Sequence, residues 1–517
     1  MITVNYMDNF RMICNHPLLC LFTLVVMLIM GFQCQNPNQS EKEVAIGGPD
    51  VILKYLLLDN RIVDQVENAK LVVGIVKKDK RNPLFVEDKE WEKRFDNLYG
   101  NLIYDQEEGI YKCWYSPFIV DMSALGMDLA QRQKPYNPPE NREMGICYAT
   151  SKDGINWVKP ELGMVDYNGS KANNIVWRGD GEQGEFWEGP HGSGIFKDIK
   201  AEDPDRLYKA IIKGKILSVA FSSDGLTWSP PIACPDADVA GDTHNNAFWA
   251  PTLGRYVGIT REWGRDTIQS QNKSSRSDPK VFQQTRRWRQ VARVESQDFV
   301  NWTKAEVVLE GLDKELQTYA MPVFFYGGVY LGLVAIHDIV SDRVWTELTW
   351  SPDTRTWHRI SPGTPLIPNS KKELAYDFGC VYACANPVFL KDEIRLYYGG
   401  SDYLHFGWRN GSLNLATLRP DGFAGYEQEL GGRPAVVATR AISYNGQNIY
   451  ISADVTPGGS VKVTATDSNG KEIAGAELVT LTVTDGQLNL DTKIEADQLS
   501  LKFELEKAKL YSFSFGE

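Results

Sequence analysis

"YATSKDGINW", Tyr148 to Trp157, reads as an alternating strand, a turn built on Asp-Gly, and a tryptophan that opens the next strand. The phrase returns as "VAFSSDGLTW" (Val219 to Trp228), "ARVESQDFVNW" (Ala292 to Trp302), "LTWSPDTRTW" (Leu348 to Trp357) and "LATLRPDGF" (Leu415 to Phe423). Its Asp stands at 153, 224, 298, 353 and 421, so the intervals are 71, 74, 55 and 68 residues. Recurrence at a near-constant period is the mark of a repeat architecture. Alternation sends successive side chains to opposite sheet faces, and an Asp side chain can close a turn by bonding backbone N–H groups two residues on.

Upstream of each copy lie two further strand-like runs joined by a tight turn. In the third unit they are "NAFWAP" and "RYVGITRE"; in the fourth they are "YAMPVFFY" and "VYLGLVAIHD", joined by Gly327 and Gly328. Each unit is therefore a four-stranded antiparallel meander. Five such meanders hide their edges by stacking radially around an axis. The expectation is an all-β chain: a five-bladed β-propeller over residues 50–430, then a C-terminal β-sandwich over 431–517. In the latter, "AISYNGQNIYISADVTPGGSVKVTATDSNGKEIAGAELV" shows short alternating strands with Gly and Asn turns.

With 43% apolar and 24% charged residues, the 517-residue chain is globular, and 55 basic against 67 acidic residues leave a net charge of -12. That balance argues against a general nucleic-acid binder. The 11% aromatic content suits both β-rich cores and surfaces on which sugar rings stack.

The N-terminus reads as an export signal over residues 1–34: Arg11, then the apolar run "PLLCLFTLVVMLIMGF", then Cys34 where a bacterial lipoprotein carries its lipid. The polar stretch 35–49 follows as a tether. The expected location is the periplasm or the cell surface, with the membrane reached only through an anchor on Cys34; simple secretion is the alternative. Cys113, Cys147, Cys234, Cys380 and Cys384 are widely spaced and odd in number, which reads as buried thiols rather than a disulfide framework or a zinc site.

Propeller geometry turns positions into places. The first strand of a blade starts, and the second ends, on the same face of the disk. Before the first strands stand Asp96 with Asn97, Glu188 with His191, Asp242 with His244 and Asn245, Gln317 with Tyr319, and Asp377. After the second strands stand Glu262, His337 with Asp338, and Asp402 with His405. A basin of carboxylates, histidines and aromatics suits cleavage of glycosidic bonds, where one carboxylate acts as base or nucleophile and another, protonated, donates to the leaving oxygen. Inserts after Ser116 and Glu262 leave from the same face and would wall a pocket, favouring exo-action. Arg261, Arg265, Arg287 and Arg289, within or beside the second insert, would suit a carboxylate or sulfate on the sugar.

"YATSKDGINWVKPELG", "SSDGLTW", "WSPDTRTWHRISPGTPLIP" and "IRLYYGGSD" resemble the blade phrases of the five-bladed glycoside hydrolase superfamily that includes families 43, 32 and 117, and its bacterial family-32-like members, over residues 90–425. The resemblance implies an acid at the head of each of the first three blades: a base or nucleophile, an orienting acid, and a general acid. Here the heads carry Asp96, Glu188 and Asp242. Family 117 is similar in using a histidine as acid, which keeps His191, His244, His337 and His405 open as donors. The expected function is a glycosidase acting on a plant or algal saccharide, with no required cofactor, no metal in the catalytic set, and an axial structural Ca2+ allowed. The rivals are a non-catalytic carbohydrate-binding surface protein, and a polysaccharide lyase acting on a uronate through His244 or Tyr319.

Overall fold

The computed structural model describes residues 53–516, apart from 180–188, 270–284 and 468. The chain is nearly all β. The repeat phrase marks five meanders, each beginning at the axis. The first comprises Asn101–Asp105, Ile110–Tyr115, Glu143–Ser151 and Trp157–Val158. The second comprises His191–Lys197, Tyr208–Lys213, Leu217–Ser222 and Ile232–Ala233. The third runs Asn246–Ala250, Arg255–Gln269, Thr285–Ser296 and Glu306–Leu309. The fourth runs Val323–Tyr326, Val329–Asp338, Arg343–Ser351 and His358–Arg359.

The fifth blade takes Cys380–Ala383, Val388–Phe389, Ile394–Ser401 and Gly411–Leu418 from its own stretch, the first two both pairing with the third. Its outer strand comes from far upstream: Lys77–Lys78 and Phe85–Val86 pair antiparallel with Gly411–Leu418. The ring is thus closed by a segment that precedes the first blade and supplies the outer strand that the fifth blade's own stretch lacks.

Five apolar seams separate the blades. Trp114, Ile146 and Ile195 fill the seam between the first and second blades, and Ile211, Tyr256 and Phe299 the next. Met321 and Val334 fill the third, Leu348 and Leu396 the fourth, and Leu102 and Tyr397 the last. Inner strands are covered on both faces by neighbouring blades, which is why Val329–Asp338 is buried along nearly its whole length instead of alternating.

The repeat's turn works as its composition demands. Asp153 Oδ1 accepts from the N–H groups of Ile155 and Asn156, each at 2.8 Å, and from Ser151 Oγ at 2.9 Å. Asp224, Asp298 and Asp353 repeat this pattern with Ser222, Ser296 and Ser351. The next residue takes a left-handed backbone in all four: Gly154, Gly225, Phe299 and Thr354. At Gly225 (φ 76°) a Cβ would lie 2.7 Å from the buried Trp114 ring, so only glycine fits.

The fifth copy lacks that serine, and its Asp does something else. Asp421 binds Lys54 Nζ at 2.8 Å and accepts from Ser452 and Ser512 hydroxyls at 2.8 and 2.7 Å and from the Tyr326 hydroxyl. It pins the fourth blade to the second β-domain.

That domain is a ten-stranded sheet folded over its own core, dominated by the long strands Asn448–Thr466 and Gln498–Gly516, which bend at bulges after Ser452 and Val455. Its composition differs from the expectation at the N-terminal side. Leu53–Leu56 pairs with Gln498–Gly516, Val63–Glu67 with Ala435–Thr439, and Ala69–Val73 with Ala424–Gln428. The sandwich therefore takes residues 53–73 and 424–428 from the span assigned to the propeller. Nothing local distinguishes these strands from a first blade, because their partners lie hundreds of residues away. Cys113, Cys147, Cys234, Cys380 and Cys384 are all buried free thiols.

Candidate active site

Asp96 opens the first blade on an unusual backbone. Asn97, Leu98 and Tyr99 all have positive φ, 55°, 65° and 42°, a left-handed turn made without glycine and fully buried. Each such residue costs on the order of 1 kcal/mol. The turn rotates the Asp96 carboxylate inward, where Oδ2 meets His191 Nε2 at 2.8 Å. The other ring nitrogen, Nδ1, lies 3.5 Å from Asp242 Oδ1. One imidazole therefore stands between two carboxylates from different blades. His191 is placed there by Gly192 (φ 58°), where a Cβ would lie 1.6 Å from the Thr243 carbonyl.

Burial pushes the Asp96 carboxyl up, but the hydrogen bond and charge of His191, with the Arg409 and Arg142 charges, hold it below the usual carboxylate range. Asp96 is thus a ready anion. Asp242 Oδ2 faces Arg261 Nη1 at 3.5 Å.

Tyr319 forms the hub of the opposite wall. Its ring packs edge-on against His405 (4.9 Å), Tyr382 (5.2 Å) and His337 (5.9 Å). Asn97 Nδ2 reaches its hydroxyl at 3.5 Å. The guanidiniums of Arg261 and Arg289 lie 4.4 and 5.0 Å from the same ring and 5.2 and 5.3 Å from the Trp263 ring. Gln317 holds Arg289, accepting from Nη1 at 3.3 Å, so its part is to orient that arginine.

The remaining histidines are deeper. His337 Nε2 is 3.1 Å from Asp342 Oδ1. His405 Nδ1 is 2.9 Å from the Tyr382 hydroxyl, and burial, with the charges of His337, Arg409, Arg289 and Arg94, pushes it far below its ordinary value. His244 stacks on Tyr99 at 5.2 Å, is almost wholly buried, and is pushed by burial down to about 3. Neither His244 nor His405 is held as imidazolium at neutral pH, so neither is poised as a general acid. Asn245 is consumed by the scaffold: Nδ2 donates to the Gly192 and Gly241 carbonyls, each at 2.9 Å, and Oδ1 accepts from Thr260. Of the polar run Asp242 to Asn245, only Asp242 faces the axial group.

Other expected residues serve elsewhere. Asp377 is fully buried in an ion pair with Lys78 of the closing strand and accepts from Tyr398 at 2.9 Å. Asp402 binds Arg132 at 2.8 Å, tying the first-blade insert to the fifth blade. Tyr136 and Trp408 reinforce that tie with an edge-on contact at 5.0 Å. Glu262 accepts from the Trp263 N–H at 3.0 Å and is half-buried. Glu188 lies outside the described residues, as do the side chains of Arg265 and Arg287 and the Cys34 signal region.

Sequence reading overlooked Arg94, Arg409, Tyr99, Tyr382 and Trp263. Arg409 stands in "HFGWRNGS", just beyond the second strand of the fifth blade, where the topological rule would have found it had bases been collected along with acids. Glu87 is a further surprise: burial pushes it up to about 8, although the Phe95 and Gly411 N–H groups donate to it. It lines a side cleft with Leu125, Tyr376 and Asp402.

Among the described residues, no group of three or more His, Cys, Asp and Glu side chains is arranged to hold a metal. With the Arg261 guanidinium 3.5 Å from Asp242 and the Arg409 charge acting on Asp96, these carboxylates are also a poor fit for the Ca2+ that the sequence allows.

No protein-family model matches the sequence, and no relative among curated proteins does either. Solved structures do resemble the fold. One is described as belonging to the GH130 family of mannoside phosphorylases, which contains hydrolases that target β-1,2-mannosidic linkages in Candida mannan (14% identity, 67% of this chain and 94% of that one, TM-score 0.44). Another is a glycosyl hydrolase from Bacteroides ovatus (14%, 67% and 94%, 0.44). A third is an N-acetylgalactosamine deacetylase from F. plautii in complex with blood group B trisaccharide (12%, 70% and 91%, 0.38). At these identities the likeness is one of fold.

Proposed function

We propose that the protein is a glycoside hydrolase acting on a plant or algal oligo- or polysaccharide, as the resemblance to families 43, 32 and 117 suggests. The observation that carries this reading is the Asp96–His191–Asp242 group, two carboxylates from different blades meeting across one imidazole. Asp96, held as an anion, serves as base or nucleophile. Asp242 and Glu188 share the proton-donating and orienting roles.

The first-blade insert is fastened to the fifth blade by Arg132 to Asp402 and by Trp408 Nε1 to the Pro135 carbonyl (3.0 Å). An insert fixed in this way would wall a pocket, which supports exo-action. Export, and lipidation at Cys34, belong to the same reading and put the enzyme where polymeric glycans are met.

The test is a screen of purified protein against plant and algal glycans and aryl glycosides, with Asp96→Asn, Asp242→Asn and Glu188→Gln beside it. The proton donor is the one whose loss spares aryl glycosides with good leaving groups. Sugar binding without turnover would favour the carbohydrate-binding reading. An unsaturated, ultraviolet-absorbing product would mean a lyase. Turnover undiminished in Asp96→Asn would sink the assignment.

A further inference from the structure

Arginines buried around the axial basin carry a charge deficit. Arg94, Arg289 and Arg409 are only 4%, 7% and 3% exposed, and among the described residues none forms an ion pair with a carboxylate. Arg409 Nη1 reaches Cys380 Sγ and His405 Nδ1, both at a long 3.5 Å, and its Nε has no hydrogen-bond partner among the described residues. Arg289 donates from Nη1 to Gln317 Oε1 at 3.3 Å and from its backbone N–H to the same oxygen at 3.4 Å, and among the described residues its Nε, like that of Arg261, has no hydrogen-bond partner. Arg94 donates to one backbone carbonyl, that of Gly407.

A guanidinium offers five donors in a rigid fork, and burying it unpaired is costly, so buried arginines are normally met by carboxylates. Among the described residues the carboxylates at hand are engaged: Asp96 with His191, Asp342 with His337, and Asp242 shared between His191 and Arg261. The forks are also pre-set. Tyr319 and Trp263 flank Arg261 and Arg289, and His405, packed 4.9 Å from Tyr319, brings Arg409 to the same hub. Guanidiniums held against aromatic faces keep one orientation, which is what bidentate oxyanion binding requires.

We propose that this wall is an oxyanion subsite, in which Arg289 and Arg409 receive a carboxylate or sulfate ester carried by the saccharide, beside the Asp96–His191–Asp242 group. The inference rests on the glycan reading and narrows it to acidic sugars. A free inorganic oxyanion shares the chemistry, and the test separates the two sources.

Binding is measured by calorimetry for matched pairs: uronate-containing oligosaccharides against their carboxyl-reduced forms, and sulfated ones against their desulfated forms. The expected result is an acidic member that binds at least about tenfold tighter than its neutral partner. Equal binding of the two overturns the subsite and leaves the glycan reading standing. No binding by either kind overturns both. If inorganic phosphate or sulfate, at constant ionic strength, raises the Tm while acidic sugars gain nothing over neutral ones, the anion is not borne by the sugar and the proposal fails as stated. Arg409→Met removes the fork and is expected to abolish the acidic preference, with a thermal melt confirming that the variant is folded. Arg289→Lys keeps the charge but loses the fork, and is expected to lower the preference about tenfold in a folded protein. Retention of the preference in both variants overturns the assignment.

Discussion

Asp96 and His191, ninety-five positions apart and in different blades, meet at 2.8 Å between Oδ2 and Nε2. The imidazole is a positioning group for Asp96, and the partner that does most to offset its burial. Replacing His191 by Ala removes both the hydrogen bond and the charge, so the Asp96 pKa rises. The expected outcome is a kcat reduced roughly 10²-fold or more and an acid limb of kcat/KM displaced to higher pH. A pH–rate profile of wild type and variant on the glycan found by the screen checks this. An unmoved acid limb would detach His191 from Asp96.

Histidine 244 ties stability to pH in one direction. Its folded value, about 3, lies below the ~6.5 of an unfolded histidine. Between those values the unfolded chain binds a proton that the folded chain does not, so stability rises with pH through this window and is lost on acidification. The loss from this group alone is about 3 kcal/mol by pH 4. Melting curves from pH 7 to pH 4 should fall less steeply for His244→Phe, which keeps the stacking on Tyr99 and cannot titrate. Parallel curves would show that His244 does not titrate in this way.

Two glycines in the same backbone region should respond differently to alanine. Gly225 (φ 76°) has the buried Trp114 ring 2.7 Å from where a Cβ would stand, whereas Gly109 (φ 66°) has nothing within 4 Å. Gly109→Ala meets only the left-handed penalty, about 1 kcal/mol. Gly225→Ala adds overpacking, for about 3 kcal/mol in all. Urea denaturation of the two variants reads the difference, and equal losses would refute the packing account.

The Lys54–Asp421 pair is buried on the Asp side and satisfied by four side chains. Asp421→Ala leaves Lys54 with Asp485 alone, at 3.0 Å, and takes the acceptor from the Tyr326, Ser452 and Ser512 hydroxyls, for an expected loss of about 3 kcal/mol. Asp153→Ala, in the exposed version of the same phrase, should cost about 1 kcal/mol. Thermal melts of both variants make the comparison.

The repeat was legible because its turn chemistry is local: a serine, an aspartate two positions later and the N–H groups just beyond it lie within six residues. The axial face followed from topology, and Asp96, His191, Asp242, Tyr319 and Arg289 do converge there. Asp377 and Asp402 obeyed the same positional rule but turned to Lys78 and Arg132, 299 and 270 positions away. Which way a side chain points depends on such remote partners, and no local pattern encodes them. His244 and Asn245 failed for a related reason, since polarity in the sequence did not show that their hydrogen bonds are spent on the scaffold. Arg94 and Arg409 were missed because guanidiniums were sought only around the third-blade insert, whereas these two stand in the first and fifth blades.

The closing of the ring by Lys77–Lys78 and Phe85–Val86, and the pairing of Leu53–Leu56 with Gln498–Gly516, impose an order in time. Strands made first must wait for strands made last. Until Gly411–Leu418 has emerged, the earliest segment has no blade to complete, and until Phe515 has emerged, Leu53 has no neighbour. Blades one to four can assemble as they appear, but the disk can lock only after nearly the whole chain is present. Such late, long-range closure is slow and leaves open strand edges meanwhile. A ribosome-stalled fragment ending before residue 411 should therefore be protease-sensitive and association-prone, although four of its five blades are already complete in sequence.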